Sequence, residues 1–220
     1  MSRFKGFYLD QNGVYRINKN AHGIGWKSPH YSRGNRLKTH IDEGTFQYLD
    51  SLGCKSLLDV GCSIGTNVQI ALEMGWGAFG IEVDDTALHE NGKYQKNIAL
   101  IDCTHNPVIF HQPFDVVWSV EVVEHIPKDR SENYLETLVR NCGKYLVMTA
   151  AKDTVSEQEV KKQLRGELWG QHLNGQKREY WIDKIEKKGL KYNDELYKKL
   201  VKKSTMIKPF LKHSGMVFEK

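Results

Sequence analysis

Between residues 55 and 150, short uninterrupted apolar runs alternate with segments whose apolar residues recur every three or four positions. Runs such as KSLLDVG and FDVVWSV have almost no polar face, which is typical of strands covered on both sides of a sheet. In chain order the pattern predicts strand KSLLDVG, helix TNVQIALEMG, strand WGAFGIEV, helix DDTALHENGKYQK, strand NIALID, strand FDVVWSV, helix SENYLETLVRNCG capped by Ser131, and strand KYLVMTA. This alternation predicts an α/β fold with a doubly wound, mostly parallel sheet and helices on both faces.

The flanking segments continue this pattern less regularly. Helical spacing is found in RLKTHIDEGTFQYLDSLG before the first strand and in VSEQEVKKQLRGELW and REYWIDKIEKKG after the last, while GLKYN resembles a strand and HSGMVFEK an antiparallel C-terminal edge strand. Residues 1–31 are rich in Gly, Asn and aromatic residues without a period, which predicts an irregular N-terminal arm or lid. Residues 153–175 are expected to pass over the active site, and residues 1–220 to form a single domain.

Composition adds expectations about compartment. A chain of 220 residues with 40% hydrophobic residues is long enough for one core. The four cysteines, Cys54, Cys62, Cys103 and Cys142, show no C-x-x-C spacing, and no charged-then-apolar leader precedes them. No stretch approaches the roughly 18 apolar residues that span a bilayer. We therefore expect a reduced, cytoplasmic protein without a membrane partner.

The net charge of +5 is unevenly distributed. Residues 161–220 contain 16 Lys or Arg against 7 Asp or Glu, a net charge of +9, so the first 160 residues carry −4. This basic segment is either a solvated helical surface or a landing surface for an anionic substrate such as nucleic acid or a nucleotide-linked sugar.

The residues at the strand ends indicate a nucleotide site, because ligands of open α/β sheets bind outside the carboxyl ends of the strands. The first strand ends in LDVGCSIGTN, where Gly61 permits a tight turn and Gly65 a close backbone approach. The second strand ends at Glu82, 23 residues after Asp59, where an acid binds the hydroxyls of a ribose. Ser63 replaces the middle glycine of G-x-G-x-x-G, which favours a group smaller than a pyrophosphate.

With these motifs the chain resembles the class I S-adenosylmethionine-dependent methyltransferases over roughly residues 55–150, and a Rossmann-like sheet is implied. In that family the glycine loop holds the methionine portion of the cofactor, the acid of the second strand holds the ribose, and an Asp after the third strand faces the adenine. The resemblance therefore implies a set of cofactor-binding residues: Asp59, Gly61, Cys62, Ser63, Gly65, Glu82, Val83, Asp102, Cys103 and Ser119. Two alternatives stay open, that Asp59 only orients the loop and that Asp102 only caps a turn.

A second group of polar residues follows the apolar strand FDVVWSV. In VEVVEHIP, the residues Glu121, Glu124 and His125 lie at positions i, i+3 and i+4, so one helical turn would place them on one face. Two carboxylates and an imidazole suit a divalent cation, and His172 on the segment that passes over the sheet is the best candidate for a fourth ligand. The alternative is a metal-free pocket that these side chains only line.

This E-x-x-E-H pattern with a later histidine resembles the small-RNA 3′-terminal 2′-O-methyltransferases, and its three-residue part resembles the ubiquinone-pathway O-methyltransferases. Both groups use a divalent metal, so the resemblance implies one here, with Mg²⁺ or Mn²⁺ favoured over Zn²⁺. A cation bound to a hydroxyl lowers the pKa of that hydroxyl, and Glu124 or His125 is then available to take the proton.

These features predict an S-adenosylmethionine-dependent O-methyltransferase that acts on a vicinal diol of a sugar or glycan. The alternatives are 2′-O-methylation of an RNA 3′ end, methylation of a catechol-type small molecule, and a catalytically inactive cofactor-binding partner.

Overall fold

The computed structural model describes residues 7–9, 15–17, 41–83, 95–153, 156, 158 and 172–220. Strands are β1 Phe7–Leu9, β2 Tyr15–Ile17, β3 Ser56–Val60, β4 Gly77–Glu82, β5 Ile98–Leu100, β6 Phe114–Val120, β7 Cys142–Thr149, β8 Lys191–Tyr192 and β9 Gly215–Glu219. Helices are α1 Glu43–Ser51, α2 Thr66–Glu73, α3 Ser131–Asn141, α4 Arg178–Glu186, α5 Asp194–Lys203 and α6 Phe210–Ser214, with short 3₁₀ turns at Gln95–Asn97 and Val123–His125.

All described strands join one sheet in the order β1-β2-β5-β4-β3-β6-β7-β9-β8. The run from β2 to β7 is parallel, whereas β1 pairs antiparallel with β2, and β9 pairs antiparallel with β7 and β8. The predicted α/β fold, a mostly parallel sheet with an antiparallel C-terminal strand, is therefore confirmed. The outermost strand at this side is the two-residue β8, so β9 lies one position inside the edge.

Helices cover both faces of the sheet because alternate side chains of a strand point to opposite faces. Leu58 and Val60 of β3 pack on the face that carries α3 and α4, together with Leu135 and Trp181. The intervening Leu57 packs on the other face, in the core formed with α1, α2 and α5. Burial on both faces explains why β3 and β6 are almost continuously apolar.

Two sequence predictions need correction. The region predicted as an irregular arm contributes strands β1 and β2, which extend the sheet beyond β5. Ser131 is the first residue of α3 rather than its cap, and its hydroxyl donates to the main-chain oxygen of Lys128 at 2.8 Å.

Other predictions fall on residues that the structure does not describe. The helices DDTALHENGKYQK and VSEQEVKKQLRGELW lie largely outside the described residues, and so does most of the segment 153–175. Within the described part of the chain, every helix is too short or too polar to cross a membrane.

Candidate active site

The loop after β3 depends on residues with left-handed backbone geometry. Gly61, Ser63 and Gly65 have φ angles of +81°, +52° and +78°, a region that glycine adopts without steric cost. A Cβ at Gly61 would lie 2.5 Å from a methyl carbon of Val122. Gly61 is therefore required both for its backbone conformation and for close contact with the turn after β6.

The carboxylate of Glu82 organises this loop from the end of β4. Its Oε2 accepts a hydrogen bond from the Ser63 main-chain N–H, and its Oε1 accepts one from the Val83 N–H, both at 2.7 Å. Glu82 is buried and lies beside Asp59, which is also buried. Burial raises the pKa of Asp59 to about 8, with a further contribution from the charge of Glu82, while a hydrogen bond from Asn67 opposes the shift.

The residues after β5 form a turn that is held by hydrogen bonds to the Asp102 carboxylate. Asp102 Oδ1 accepts from the main-chain N–H and the hydroxyl of Thr104 at 2.9 and 2.6 Å, and its Oδ2 lies 2.9 Å from His105 Nδ1. These contacts match the alternative interpretation of Asp102 as a turn cap. A contact between Asp102 and an adenine ring remains a prediction.

Three predicted cofactor residues are buried inside the protein. Cys62 and Cys103 belong to the hydrophobic cores, and burial raises the pKa of both thiols, that of Cys103 to about 12. Ser119 is completely buried, and its hydroxyl lies 2.8 Å from the hydroxyl of Tyr134. The Ser119 side chain therefore lies against Tyr134 of α3, and a contact between Ser119 and the cofactor remains a prediction.

The turn after β6 differs from the predicted helical turn. The 3₁₀ turn begins only at Val123, and Glu121 before it has a left-handed backbone with φ +56°. Glu121, Glu124 and His125 therefore do not share one helical face. The prediction was wrong in this respect, since the spacing i, i+3, i+4 applies only within a continuous helix.

The structure nevertheless brings three of the four predicted metal ligands together. One ligand atom each from Glu124, His125 and His172 lies within 4.8 Å of the other two. The two imidazole rings are edge to face, with centroids 5.0 Å apart. His172 Nδ1 lies 3.2 Å from the main-chain oxygen of Asp153, a contact that can fix the orientation of its ring.

Glu124 is the completely buried member of this cluster. Its Oε1 accepts from the Ala151 N–H at 3.2 Å, whereas within the described residues its Oε2 has no hydrogen-bond partner. Burial raises the pKa of Glu124 to about 8, and the neighbouring charge of Glu121 adds to the shift. A buried carboxylate oxygen without a donor is costly, and a bound cation would remove that cost.

Several residues around the cluster were not singled out by the sequence. Asn174 donates its main-chain N–H to the Glu124 main-chain oxygen at 2.8 Å, which ties the segment after His172 to the turn after β6. Tyr134 donates to the Val60 main-chain oxygen at 3.0 Å, at the start of the glycine loop. The sequence gives no signal for either residue, because the Asn174 contact is made by its main chain and Tyr134 occupies an ordinary core position of an amphipathic helix.

Residues 58–146 match a protein family described as a methyltransferase domain. The matched segment contains the glycine loop, Glu82 and the turn with Glu124 and His125. A comparison with curated proteins gives no significant match.

Solved methyltransferases share the fold. The magnesium protoporphyrin IX methyltransferase (ChlM) from Synechocystis PCC 6803, with bound SAH, is 14% identical with a TM-score of 0.53, over 79% of this chain and 77% of that chain. The methyltransferase domain of bacterial CtHen1 is 18% identical with a TM-score of 0.52, over 81% of this chain and 97% of that chain. The plantazolicin methyltransferase BpumL, in complex with SAH, is 14% identical with a TM-score of 0.52, over 81% and 82%. The predicted resemblance to the class I S-adenosylmethionine-dependent methyltransferases is therefore confirmed.

Proposed function

We propose that this protein is an S-adenosylmethionine-dependent O-methyltransferase that uses a divalent cation to methylate one hydroxyl of a vicinal diol on a sugar or glycan. The family match and the fold support methyl transfer. The proposal of a bound cation is based on one observation: Glu124, His125 and His172 lie together, and a buried carboxylate oxygen of Glu124 has no donor among the described residues.

The cofactor is held by backbone and by one carboxylate. When bound, S-adenosylmethionine supplies a methyl group on a positively charged sulfur. The loop Gly61–Gly65 offers main-chain N–H groups to the methionine portion. A carboxylate oxygen has more than one acceptor position, so Glu82 can receive ribose hydroxyls while it keeps the N–H groups of Ser63 and Val83.

The donor set fits a divalent cation. Glu124 supplies a carboxylate oxygen, and His125 and His172 supply ring nitrogens within reach of it. Glu121 adds a second carboxylate beside Glu124 and is the proposed fourth ligand. When bound, a Mg²⁺ or Mn²⁺ ion supplies Lewis acidity that lowers the pKa of an alcohol.

The chain itself orients the acceptor and takes its proton. The close approach of Gly61 to Val122 brings the glycine loop against the turn that carries Glu124 and His125, which supports adjoining sites for cofactor and acceptor. Glu124 and His125 are the two groups available to accept the hydroxyl proton. Holding the reacting oxygen near the sulfonium in this way supplies the orientation that an in-line displacement needs.

A vicinal diol is the proposed acceptor because two adjacent oxygens can share one cation. An RNA 3′ end also offers such a diol, and the net charge of +9 over residues 161–220 makes it the second candidate. Five lysines of this segment pair with acids in the described part of the chain, but only Lys184 and Lys188 pair with an acid outside the segment, Glu132, so these pairs offset the net charge of +9 only slightly. The paired lysines are Lys184, Lys187, Lys188, Lys198 and Lys199.

A labelled-methyl transfer screen tests the proposal. Sugars, nucleotide sugars, catechols and short RNAs would be offered with Mn²⁺, Mg²⁺ or a chelator, each diol beside its monodeoxy analogue. We expect incorporation into a diol sugar that chelator abolishes, and none into the analogue. The substitution His172→Ala should also abolish methyl transfer to the diol sugar, whereas the matched control His213→Ala on α6 should leave this transfer unchanged. Transfer that persists in chelator would contradict the cation, and cofactor binding without transfer would favour the inactive partner.

A further inference from the structure

The carboxylate of Glu121 is held by hydroxyl groups from two other elements. Its Oε1 accepts from the hydroxyl of Thr149, at the end of β7, at 2.7 Å, and from the hydroxyl of Ser214, at the end of α6, at 3.1 Å. The Thr149 hydroxyl also accepts the Glu121 main-chain N–H at 2.9 Å. We name this arrangement of Thr149, Ser214 and Glu121 the hydroxyl clamp.

Strand pairing fixes the two hydroxyls relative to each other. Thr149 lies opposite Gly215 in the antiparallel pairing of β7 with β9, so Ser214 is placed next to Thr149 by backbone hydrogen bonds. A Cβ at Gly215 would lie 2.3 Å from the Leu211 main-chain oxygen, so only glycine lets the chain turn directly from α6 into β9. The main chain that carries both hydroxyl groups is therefore held in place by the pairing of β7 with β9.

The clamp holds Glu121 where its charge is unfavourable without a cation. The carboxylate of Glu121 is a neighbour of Glu124, and its charge raises the pKa of Glu124 because two like charges repel each other. Glu121 is only half-buried, so without the two hydroxyls its side chain could turn toward solvent. A fixed pair of carboxylates binds a cation more tightly, because the cost of bringing them together is met during folding.

We propose that Ser214 and Thr149 are positioning residues that hold Glu121 beside Glu124 and thereby increase the affinity of the site for a divalent cation. This inference rests on the proposed function, which supplies the cation. Hydroxyl partners of ligating carboxylates set the orientation of the ligand, and their loss typically weakens metal binding by about 10- to 100-fold.

Mn²⁺ titration of the 220-residue chain by calorimetry tests the clamp without any acceptor. Ser214→Ala should weaken Mn²⁺ binding by about 10-fold, and Ser214→Thr should restore it. The melting temperature and the affinity for S-adenosylmethionine should stay at the wild-type values. The Ser214 hydroxyl also lies 3.2 Å from the Phe210 main-chain oxygen, one helical turn earlier. Ser51→Ala is the matched control, since Ser51 is a helical serine whose hydroxyl donates to such a main-chain oxygen but not to a carboxylate.

A double-mutant cycle shows whether the effect passes through Glu121. In a Glu121→Gln background, Ser214→Ala should cause little further loss of Mn²⁺ affinity, because the carboxylate that it positions is already gone. An equal loss in both backgrounds would overturn the inference, as would wild-type Mn²⁺ affinity in Ser214→Ala. If Ser214→Ala does not fold, Thr149→Ser and Thr149→Val give the same comparison. A wild-type chain that binds no Mn²⁺ would instead overturn the proposed cation, and the clamp with it.

Discussion

Two carboxylates at the same edge of the sheet are satisfied in different ways. Both oxygens of Glu82, at the end of β4, accept hydrogen bonds from main-chain N–H groups, those of Ser63 and Val83. Glu124, after β6, accepts one main-chain N–H on Oε1, while its Oε2 has no partner within the described part of the chain. At Glu82 the protein itself supplies a donor to each carboxylate oxygen, whereas at Glu124 the described residues supply a donor to only one of the two.

The difference indicates what each region is built to bind. A carboxylate already held by backbone is a rigid acceptor for neutral hydroxyls, such as those of a ribose. A buried carboxylate with two imidazoles beside it and an oxygen to spare is suited to a cation. The two regions are adjacent, because Gly61 lies against Val122. Their separate functions are therefore tested by substitutions that should weaken the binding of the cofactor or of the cation, but not of both.

The largest effect is expected from Glu124→Gln. This change keeps the shape of the side chain and removes its charge, so Mn²⁺ affinity and methyl transfer should each fall by more than about 100-fold. Calorimetric titration should show unchanged affinity for S-adenosylmethionine. Glu132→Gln, which removes an exposed carboxylate of α3 paired with Lys188, is the control and should leave both quantities intact. Loss of cofactor affinity in Glu124→Gln would contradict the proposal that cofactor and cation are bound by different regions.

The opposite outcome is expected from Glu82→Gln. Hydrogen bonds to a charged group contribute about 1.5–3 kcal/mol each, so cofactor affinity should fall by about 10- to 100-fold. Mn²⁺ affinity should match that of the wild-type chain, because Glu82 lies outside the cluster of Glu124, His125 and His172. Weakened Mn²⁺ binding in Glu82→Gln would mean that the two regions act as one site.

A smaller effect is expected from Asp59→Asn, and it concerns pH. Burial raises the pKa of Asp59 from 3.8 to about 8, so between these values the folded state binds a proton that the unfolded state has released. The free energy of unfolding contributed by this group is therefore highest at low pH and declines as the pH rises toward 8. Asp59→Asn should reduce that decline by at least about 1.4 kcal/mol, equivalent to one pKa unit.

Urea unfolding of cofactor-free protein at pH 5 and pH 8 measures this difference. Asp115→Asn, at a partly exposed strand residue near Lys144, is the control and should leave the decline unchanged. Identical pH dependence in Asp59→Asn and wild type would show that Asp59 is ionised in the folded protein. The ends of β3 and β4 beside the glycine loop would then carry two charged carboxylates, Asp59 and Glu82, rather than one.

Long, buried elements were predicted accurately from the sequence, whereas two short ones were missed. Strand β6 was predicted with its observed bounds, because its residues Phe114–Val120 are almost all apolar between polar loops. Strands β1 and β2 were missed, because three residues are too few to show a period of two. The position of β9 inside β8 was also missed, since the order of strands within a sheet leaves no mark on the pattern of a single strand.

The candidate site divides in the same way. The glycine loop and Glu82 were found from spacing, because consecutive strand ends and a tight turn are local features of the chain. For Ser119, the sequence located the strand but did not indicate that the side chain is buried against Tyr134, because the contact joins two different elements. Ser214 was missed because it is 93 residues from Glu121, and nothing in its neighbours along the chain indicates a carboxylate.

The sequence by itself determined the alternation of strands and helices, the methyltransferase-like loop, and the residue types suited to a cation, because each follows from periodicity or from short spacing. Only the tertiary structure decided that Glu121 leaves the helical turn, that His172 reaches His125, and that Thr149 and Ser214 hold Glu121. These contacts join distant segments, and their geometry is fixed by strand pairing and packing, which act between parts of the chain that local sequence does not relate.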